Sequence, residues 1–295
     1  MVGRMLLVVC FGSLLQLVLT QTYSYTGQGS WPGTCTSGSR QSPIDIQDFK
    51  GACDNSIQLD LKLSPSSTQF AMTLTNVASP GYITAVSTNG TIGTLYASDL
   101  SGKIYGYTMK ELRVHAPSEH TIAGTSYAVE VQMIFTIRSE FTNAPNSMAG
   151  VSLLFQQSDS QQASIDLLTT LASGANSTNS TVAIANQISS ILPSPLSFFS
   201  YLGSETSPVG TCSENMIWYV IQTPISVSST QEGSFDSLWK SNTSFASGQG
   251  NNRNIQSLNS RVIKKGGVAC EEQFIYFFSF VLLYAFINYF IFKLL

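Results

Sequence analysis

A sheet-dominated, mainly β (α+β) single domain is the fold class this sequence predicts, and three observations predict it. Short runs of alternating or β-branched residues recur between turn signals, stretches with helical periodicity are few, and no linker divides the long central part. Strands are expected at Ile57–Leu63, Phe70–Thr75, Ile83–Val86, Val129–Ile137, Val151–Gln156 and Ile217–Ile225. One helix is expected over Thr181–Ile191, where Val182, Ile184, Ile188 and Ile191 repeat at helical spacing. The polar stretch Ser173–Ser180 before it is too short to join two domains. Residues 21–265 therefore read as one unit, and a 295-residue chain is long enough to bury its own core.

Charged residues make up only 11% of the chain and the formal net charge is −3, which excludes nucleic acid as a partner class. Most of the polarity comes from Ser, Thr, Asn and Gln. The two ends are apolar in different ways. Residues 1–20 carry Arg4, a short run LLVVCFGSLLQLVL and then small and polar residues, the plan of a secretory signal peptide; the competing reading is a membrane anchor, for which the run is short. Residues 274–292 form an apolar stretch broken only by Ser279 and Asn288, with a short spacer, 266–273, before it. Two readings stay open: a single transmembrane span, or the signal for a glycosylphosphatidylinositol (GPI) anchor attached near Gly266 or Gly267. Attachment at Ser260 would give a longer spacer but would trim the last strand. Both readings place the chain at a membrane.

Asn-x-Ser/Thr triplets occur at Asn89, Asn176, Asn179 and Asn242, and with a leader they fit a glycosylated extracellular domain. The expected location is the secretory pathway, ending at the cell surface or another extracytoplasmic membrane face. Cysteines pair in that compartment. Removal of the leader takes Cys10 with it and leaves Cys35, Cys53, Cys212 and Cys270.

Four ordered blocks carry a resemblance. They are Tyr25–Gly29, Trp31 and Cys35 leading into QSPIDI (41–46); ELRVHAPSEHTI (111–122) followed by Gly124, Tyr127 and Glu130; YLGS (201–204) with Thr206, Pro208, Cys212, Glu214, Trp218, Pro224, Ser228 and Gln231; and Asn251, Arg253, Gln256, Leu258 and Arg261. Taken together they resemble the alpha-class carbonic anhydrases over residues 23–263. The resemblance implies a large, twisted, mostly antiparallel central sheet with short peripheral helices. It also implies a zinc site built from three imidazoles, two of them in a His-x-His pair on one strand and the third on the next strand. Three neutral nitrogen ligands and one open position let the metal acidify a bound water.

Position by position, the chain departs from that pattern. Arg113 stands at the first ligand position, His115 at the second and Gln132 at the third. The chain has only two histidines, and the other, His120, falls where the family uses a structural histidine. A guanidinium offers no lone pair to a metal, and an amide oxygen is a poor ligand for zinc. No cofactor is therefore expected, zinc entering only if the family site is somehow retained. The resemblance further implies that Glu119 and Thr206 are a remnant of the pair in which a carboxylate accepts the threonine hydroxyl. Glu130 would be the carboxylate that orients the third ligand, here left without its partner, and Glu111 and Glu205 would bring further carboxylates to the site. The expectation is that Arg113 replaces the metal as the buried cation, forked onto one or more of Glu111, Glu130 and Glu205. Cys35 and Cys212 match the disulfide of secreted members. Cys53 has no matching partner and could meet Cys270 only if the tail stays attached. No proton-shuttling histidine stands near Gly81 and Tyr82.

The function expected on this reading is binding or recognition at a surface, with a protein or glycan partner and the membrane as the second contact. The alternative is an active carbonate dehydratase with an atypical metal site, using His115, Gln132 and a carboxylate, or a metal-independent hydrolytic activity. A storage or coat protein is the third reading.

Overall fold

The computed structural model describes residues 23–47, 53–63, 70–74, 83–87, 92–158, 166–175, 180–182, 185–208 and 211–267. The leader 1–20, Asn89, Asn176, Asn179, the Gly81–Tyr82 region, Cys270 and the apolar tail lie outside the described residues. Among the described residues no helix is long and apolar enough to cross a membrane.

The strands run in chain order as β1 Asp45–Ile46, β2 Leu59–Leu63, β3 Phe70–Leu74, β4 Ile83–Ser87, β5 Gly93–Ser98, β6 Ile104–His115, β7 Thr121–Ile122, β8 Val129–Ile137, β9 Met148–Gln157, β10 Ser180–Val182, β11 Ser197–Gly203, β12 Met216–Ile221, β13 Ile225–Val227 and β14 Ile263–Gly267. The helices are short: α1 Thr34–Ser37, α2 Asp166–Ala175, α3 Ala185–Ile191 and α4 Ser229–Asp236. The main sheet has the order β10-β3-β4-β6-β8-β9-β12-β11-β14, with β5 beside β6, β2 beside β5 and β13 beside β9. Its pairs are antiparallel except where β12 and β13 run parallel to β9. The predicted large, mostly antiparallel sheet with few short helices is the architecture found.

One register irregularity decides which residues reach the site. In β6, Tyr105, Tyr107 and Met109 point into the larger apolar core. The ladder to β8 then shifts between Met109 and Glu111, so the exposed Lys110 opposes nothing. Beyond this bulge Leu112 and Val114 take over the core face. Glu111, Arg113 and His115 are thereby turned to the other side. On β8, Val131, Met133 and Phe135 fill the same core, which sends Glu130 and Gln132 to the face of Arg113 and His115. The register sets Arg113 opposite Gln132 and His115 opposite Glu130. A second core of Ile44, Ile46, Tyr127, Ile134, Leu154, Tyr201 and Trp218 closes around the base of that face.

Several strand expectations are corrected. Ile217–Ile225 divides into β12 and β13, because the chain bends at Gln222 and Thr223 and Pro224 has no N–H to give a ladder. Thr181–Ile191 is helical only from Ala185. Its first part is strand β10, which pairs with β3, where β-branched Thr181 and Val182 suit an extended chain. Strands β5, β6, β11 and β14 and helices α2 and α4 were not among the expected elements. Strand β14 ends at Gly267, so the sheet passes the expected boundary at 265 by two residues of the spacer.

Candidate functional site

The site lies where β6 and β8 lie side by side, and its walls come from β9, the segment after β11 and the segment 250–253. Arg113 is 3% exposed, and its Nε donates to Glu111 Oε1 at 2.8 Å. Its Nη2 donates to the same oxygen and, at 3.1 Å, to Glu205 Oε1. Both carboxylates are buried. Glu111 is two residues back on the same face of the strand, so the alternation of β6 brings the pair together. Glu205 comes from the turn after β11, held by neighbours of Glu205 itself. Ser204 Oγ accepts from Ser42 N at 2.9 Å and donates to Glu205 O at 2.8 Å, while Trp218 Nε1 donates to Ser204 O at 2.9 Å. Of the three carboxylates expected around the guanidinium, Glu111 and Glu205 are the acceptors. Glu130 is not.

Glu130 is instead the most heavily bonded carboxylate in the site. Its Oε1 accepts from His120 Nδ1 at 2.7 Å, Ser152 Oγ at 2.8 Å and Gln132 Nε2 at 3.0 Å. Its Oε2 accepts from the backbone N–H groups of Glu119 and His120 at 2.8 and 2.7 Å. Full burial pushes its pKa up from the ordinary 4.5, yet the neighbouring His120, by charge and by hydrogen bonds, holds it down at about 2. The expectation that Glu130 loses its partner is thus corrected. Gln132 keeps an N–H on the carboxylate, because a glutamine amide can donate from the same strand position.

The remnant pair is also rearranged. Glu119 Oε2 accepts from Gln132 Nε2 at 2.8 Å and its Oε1 from Arg253 N at 2.9 Å. Thr206 Oγ1 is fully buried and has no hydrogen-bond partner among the described residues, so the expected bond from Thr206 to Glu119 is not formed. Donation to two carboxylates fixes the Gln132 amide, since a carboxylate cannot donate back. Its Oε1 therefore points away from both, and it too lacks a partner among the described residues.

His115 Nδ1 donates to Asn251 O at 2.9 Å, which leaves the lone pair of a neutral ring on Nε2. Asn251 also closes the end of β6, donating to Val114 O at 2.9 Å and accepting from Ala116 N at 2.7 Å. Gly250 permits this approach. Its φ is +100°, and a Cβ there would meet Ala116 O at 2.5 Å. His120 Nε2 bonds the Tyr201 hydroxyl at 2.7 Å, and that hydroxyl donates to Ser42 Oγ at 2.9 Å. Ser152, Asn251, Arg253 and Tyr201 were given no role from the sequence. Only the register of β8 on β9, with Gln132 opposite Ser152, brings Ser152 to Glu130.

Zinc was tested against these donors, and they do not fit it. One imidazole stands at a ligand position, a guanidinium fixed by two carboxylates stands at a neighbouring one, and the amide at the third faces two carboxylates with its N–H groups. Among the described residues no group of three or more His, Cys, Asp or Glu side chains is placed to hold a metal ion. What the arrangement does chemically is neutralise buried charge: Arg113 against Glu111 and Glu205, and His120, Ser152 and Gln132 against Glu130.

The remaining features lie outside this face. Cys35 and Cys212 form a disulfide with Cα atoms 4.9 Å apart, and Asn242 is half-buried. Cys53 is disulfide-bonded as well.

Comparison with known proteins gives one consistent result. The model of the eukaryotic-type carbonic anhydrase family matches residues 26–266. A carbonic anhydrase of Klebsiella pneumoniae is 28% identical over 260 residues, covering 83% of this chain and 92% of the relative. One from Pectobacterium carotovorum is 27% identical over 232 residues, covering 78% and 81%. Among solved structures, the alpha-carbonic anhydrase of Photobacterium profundum aligns with a TM-score of 0.60 at 25% identity, over 82% of this chain and 99% of that one. The carbonic anhydrase Cah3 from Chlamydomonas reinhardtii, solved with acetazolamide, aligns with a TM-score of 0.62 at 23% identity, over 81% and 95%.

Proposed function

Because the chain belongs to the eukaryotic-type carbonic anhydrase family, we propose that it has kept the family's domain while losing its zinc-hydroxide chemistry, and that it serves in binding or recognition as a membrane-tethered extracytoplasmic protein. The observation that carries this reading is the ion pairing of Arg113 with Glu111 and Glu205 at a ligand position. A guanidinium there supplies no lone pair to a metal, and its ion pairs hold it in the ligand position. The turned amide of Gln132 supports the same conclusion from the third ligand position. The leader, the sequons and the apolar tail support the location. The partner class proposed is a protein or a glycan.

The test is an assay of carbon dioxide hydration on the purified chain, with its metal content measured on the same sample. No rate above buffer, no stoichiometric zinc and no binding of a sulfonamide are expected. Full zinc occupancy with hydration activity overturns the reading. A pull-down from intact membranes then identifies the partner.

The second reading, an active carbonate dehydratase with an atypical metal site, is favoured by one observation. The buried Oε1 of Gln132 and the hydroxyl of Thr206 have no partner among the described residues. The same assay separates the two.

A further inference from the structure

We propose that the outer face of the sheet formed by β2, β5, β6 and the end of β8, centred on Tyr96, is a platform that binds the neutral sugar residues of a glycan. The inference deepens the recognition reading above and rests on it, with the glycan as the partner.

Strand alternation builds the platform. Leu95 and Ala97 of β5 and Tyr105, Tyr107 and Met109 of β6 face the larger core, so Thr94, Tyr96, Gly106 and Thr108 face outward. The register sets these residues in two ranks across the strands. One rank runs Asp60, Tyr96, Gly106, and continues to Arg138, whose N–H donates to Gly106 O at 3.0 Å. The other runs Lys62, Thr94, Thr108, Thr136. In the first rank the glycine leaves a gap between two large side chains, and the Tyr96 ring lies across it. A Cβ at 106 would meet Tyr96 Cε1 at 3.1 Å and Phe141 Cε2 at 2.5 Å. At the far side of the gap the Tyr96 hydroxyl accepts from Arg138 Nη1. The ring is thereby laid along the sheet and fastened at its tip, and it stays half-buried, with part of its surface in solvent.

The polar groups around the ring fit an uncharged polyol. Thr94, Thr108 and Thr136 are half-buried, and their hydroxyls make no hydrogen bond among the described residues. They stand on neighbouring strands about 4.8 Å apart, and each can donate and accept. Charge selects no partner on these ranks. Lys62 Nζ lies 3.2 Å from Asp60 Oδ2, and Arg138 Nη2 lies 2.7 Å from Glu140 Oε1, so the four charges cancel in pairs. The exposed Lys110 stands one step further along β6, outside both ranks. A pyranose supplies what this face lacks. Its C–H groups present a weakly positive edge to the π face of Tyr96, and its hydroxyls exchange hydrogen bonds with the threonines and the exposed ion pairs. Lys62 Nζ, 5.9 Å from the ring centroid, is near enough to bond a sugar seated there.

The experiment applies the purified chain to an array of neutral hexose and N-acetylhexosamine oligosaccharides, beside sulfated ones, and measures the best-retained by titration calorimetry. Retention of neutral oligosaccharides is expected. Tyr96→Ala should lower the affinity at least about tenfold at an unchanged melting temperature, the loss expected of a central interface aromatic. If that variant melts lower, Asp60→Ala with Lys62→Ala, two exposed side chains, gives the readout instead, with a loss of about threefold or more. The proposal is overturned if no neutral oligosaccharide is retained, if only sulfated ones are, or if both variants bind like the wild type. A membrane partner that binds equally after its glycans are removed overturns it too. A chain that holds zinc and hydrates carbon dioxide, yet binds sugar through Tyr96, sinks the reading of a lost activity and leaves the platform standing. An inactive chain that ignores sugars does the reverse, so the two fail separately.

Discussion

Gln132 Nε2 lies 2.8 Å from Glu119 Oε2, and this contact occupies the carboxylate that the family resemblance assigns to the threonine at 206. One substitution therefore alters two places. It removes an imidazole from the third ligand position and leaves Thr206 Oγ1 buried without a partner among the described residues. A buried hydroxyl without a partner costs about 1–3 kcal/mol relative to a bonded one, so the exchange is not neutral.

Restoring the imidazoles tests the lineage directly. The double variant Arg113→His with Gln132→His should bind zinc at near one equivalent, because His115 already holds its Nδ1 on Asn251 and presents Nε2. The wild type and each single variant should stay far below one equivalent. Metal analysis after dialysis against a weak chelator measures this. A folded double variant without zinc would show that the backbone has drifted too far for the site.

The buried ion pairs set a second expectation. Glu111→Ala removes one of the two carboxylates paired with the Arg113 guanidinium among the described residues, and breaking a buried pair from one side costs about 3–5 kcal/mol. Replacing all three members by apolar residues, Arg113→Met with Glu111→Leu and Glu205→Leu, should cost far less, because no charge is left stranded. Denaturant unfolding of the two variants compares them. If Glu111→Ala unfolds at the wild-type midpoint, the guanidinium is not held as described.

How far the residues spoke for themselves depended on distance along the chain. Val129–Ile137 alternates between two buried faces, and its limits as β8 are those expected. Strand β6 was harder to see, because its pattern changes phase at Lys110, and a bulge is a property of the pair and not of one strand. Helix α4 did carry a local signal, the capping box of Ser228 and Gln231. In the site, the acceptors of Arg113 followed from charge and position in the resemblance. The rotation of the Gln132 amide did not. It is decided by two carboxylates from different segments competing for one pair of N–H groups. Asn251 and Ser152 act through the strand ends and register that bring them in, which no local pattern announces.

Acid stability should follow Glu130. Its folded pKa lies near 2, below the ordinary 4.5, so the charged form is the one the fold favours. Its contribution is then complete above about pH 4.5 and is lost as pH falls toward 2. Melting temperature followed from pH 6 to pH 2 should fall most steeply in that window. Glu130→Gln should be less stable at pH 6 and show a flatter profile. An unchanged slope in the variant would assign the acid loss elsewhere.

The Cys35–Cys212 bridge gives the last expectation, because it acts on the site through a chain of contacts. The two residues are 177 apart in sequence. Cys35 O accepts from Arg253 Nη2 at 2.7 Å, and the backbone N–H of Arg253 is the donor to Glu119 Oε1. Cys212 O accepts from Gln41 Nε2 at 3.1 Å, and Glu205 N donates to Ser213 O, so the bridge also steadies the turn that presents Glu205 to Arg113. A cross-link closing so long a loop is worth about 2–5 kcal/mol. Cys35→Ser with Cys212→Ser should lose stability of that size. Hydrogen exchange should rise first in residues 204–208 and 251–253, ahead of β6 and β8, because those segments lose their tie while the sheet keeps its ladder. Since Cys212 is fully buried, a mild reductant should leave the native protein unchanged until denaturant opens it. Uniform loosening of the whole domain in the variant would show that the bridge supports global stability without a particular hold on the site.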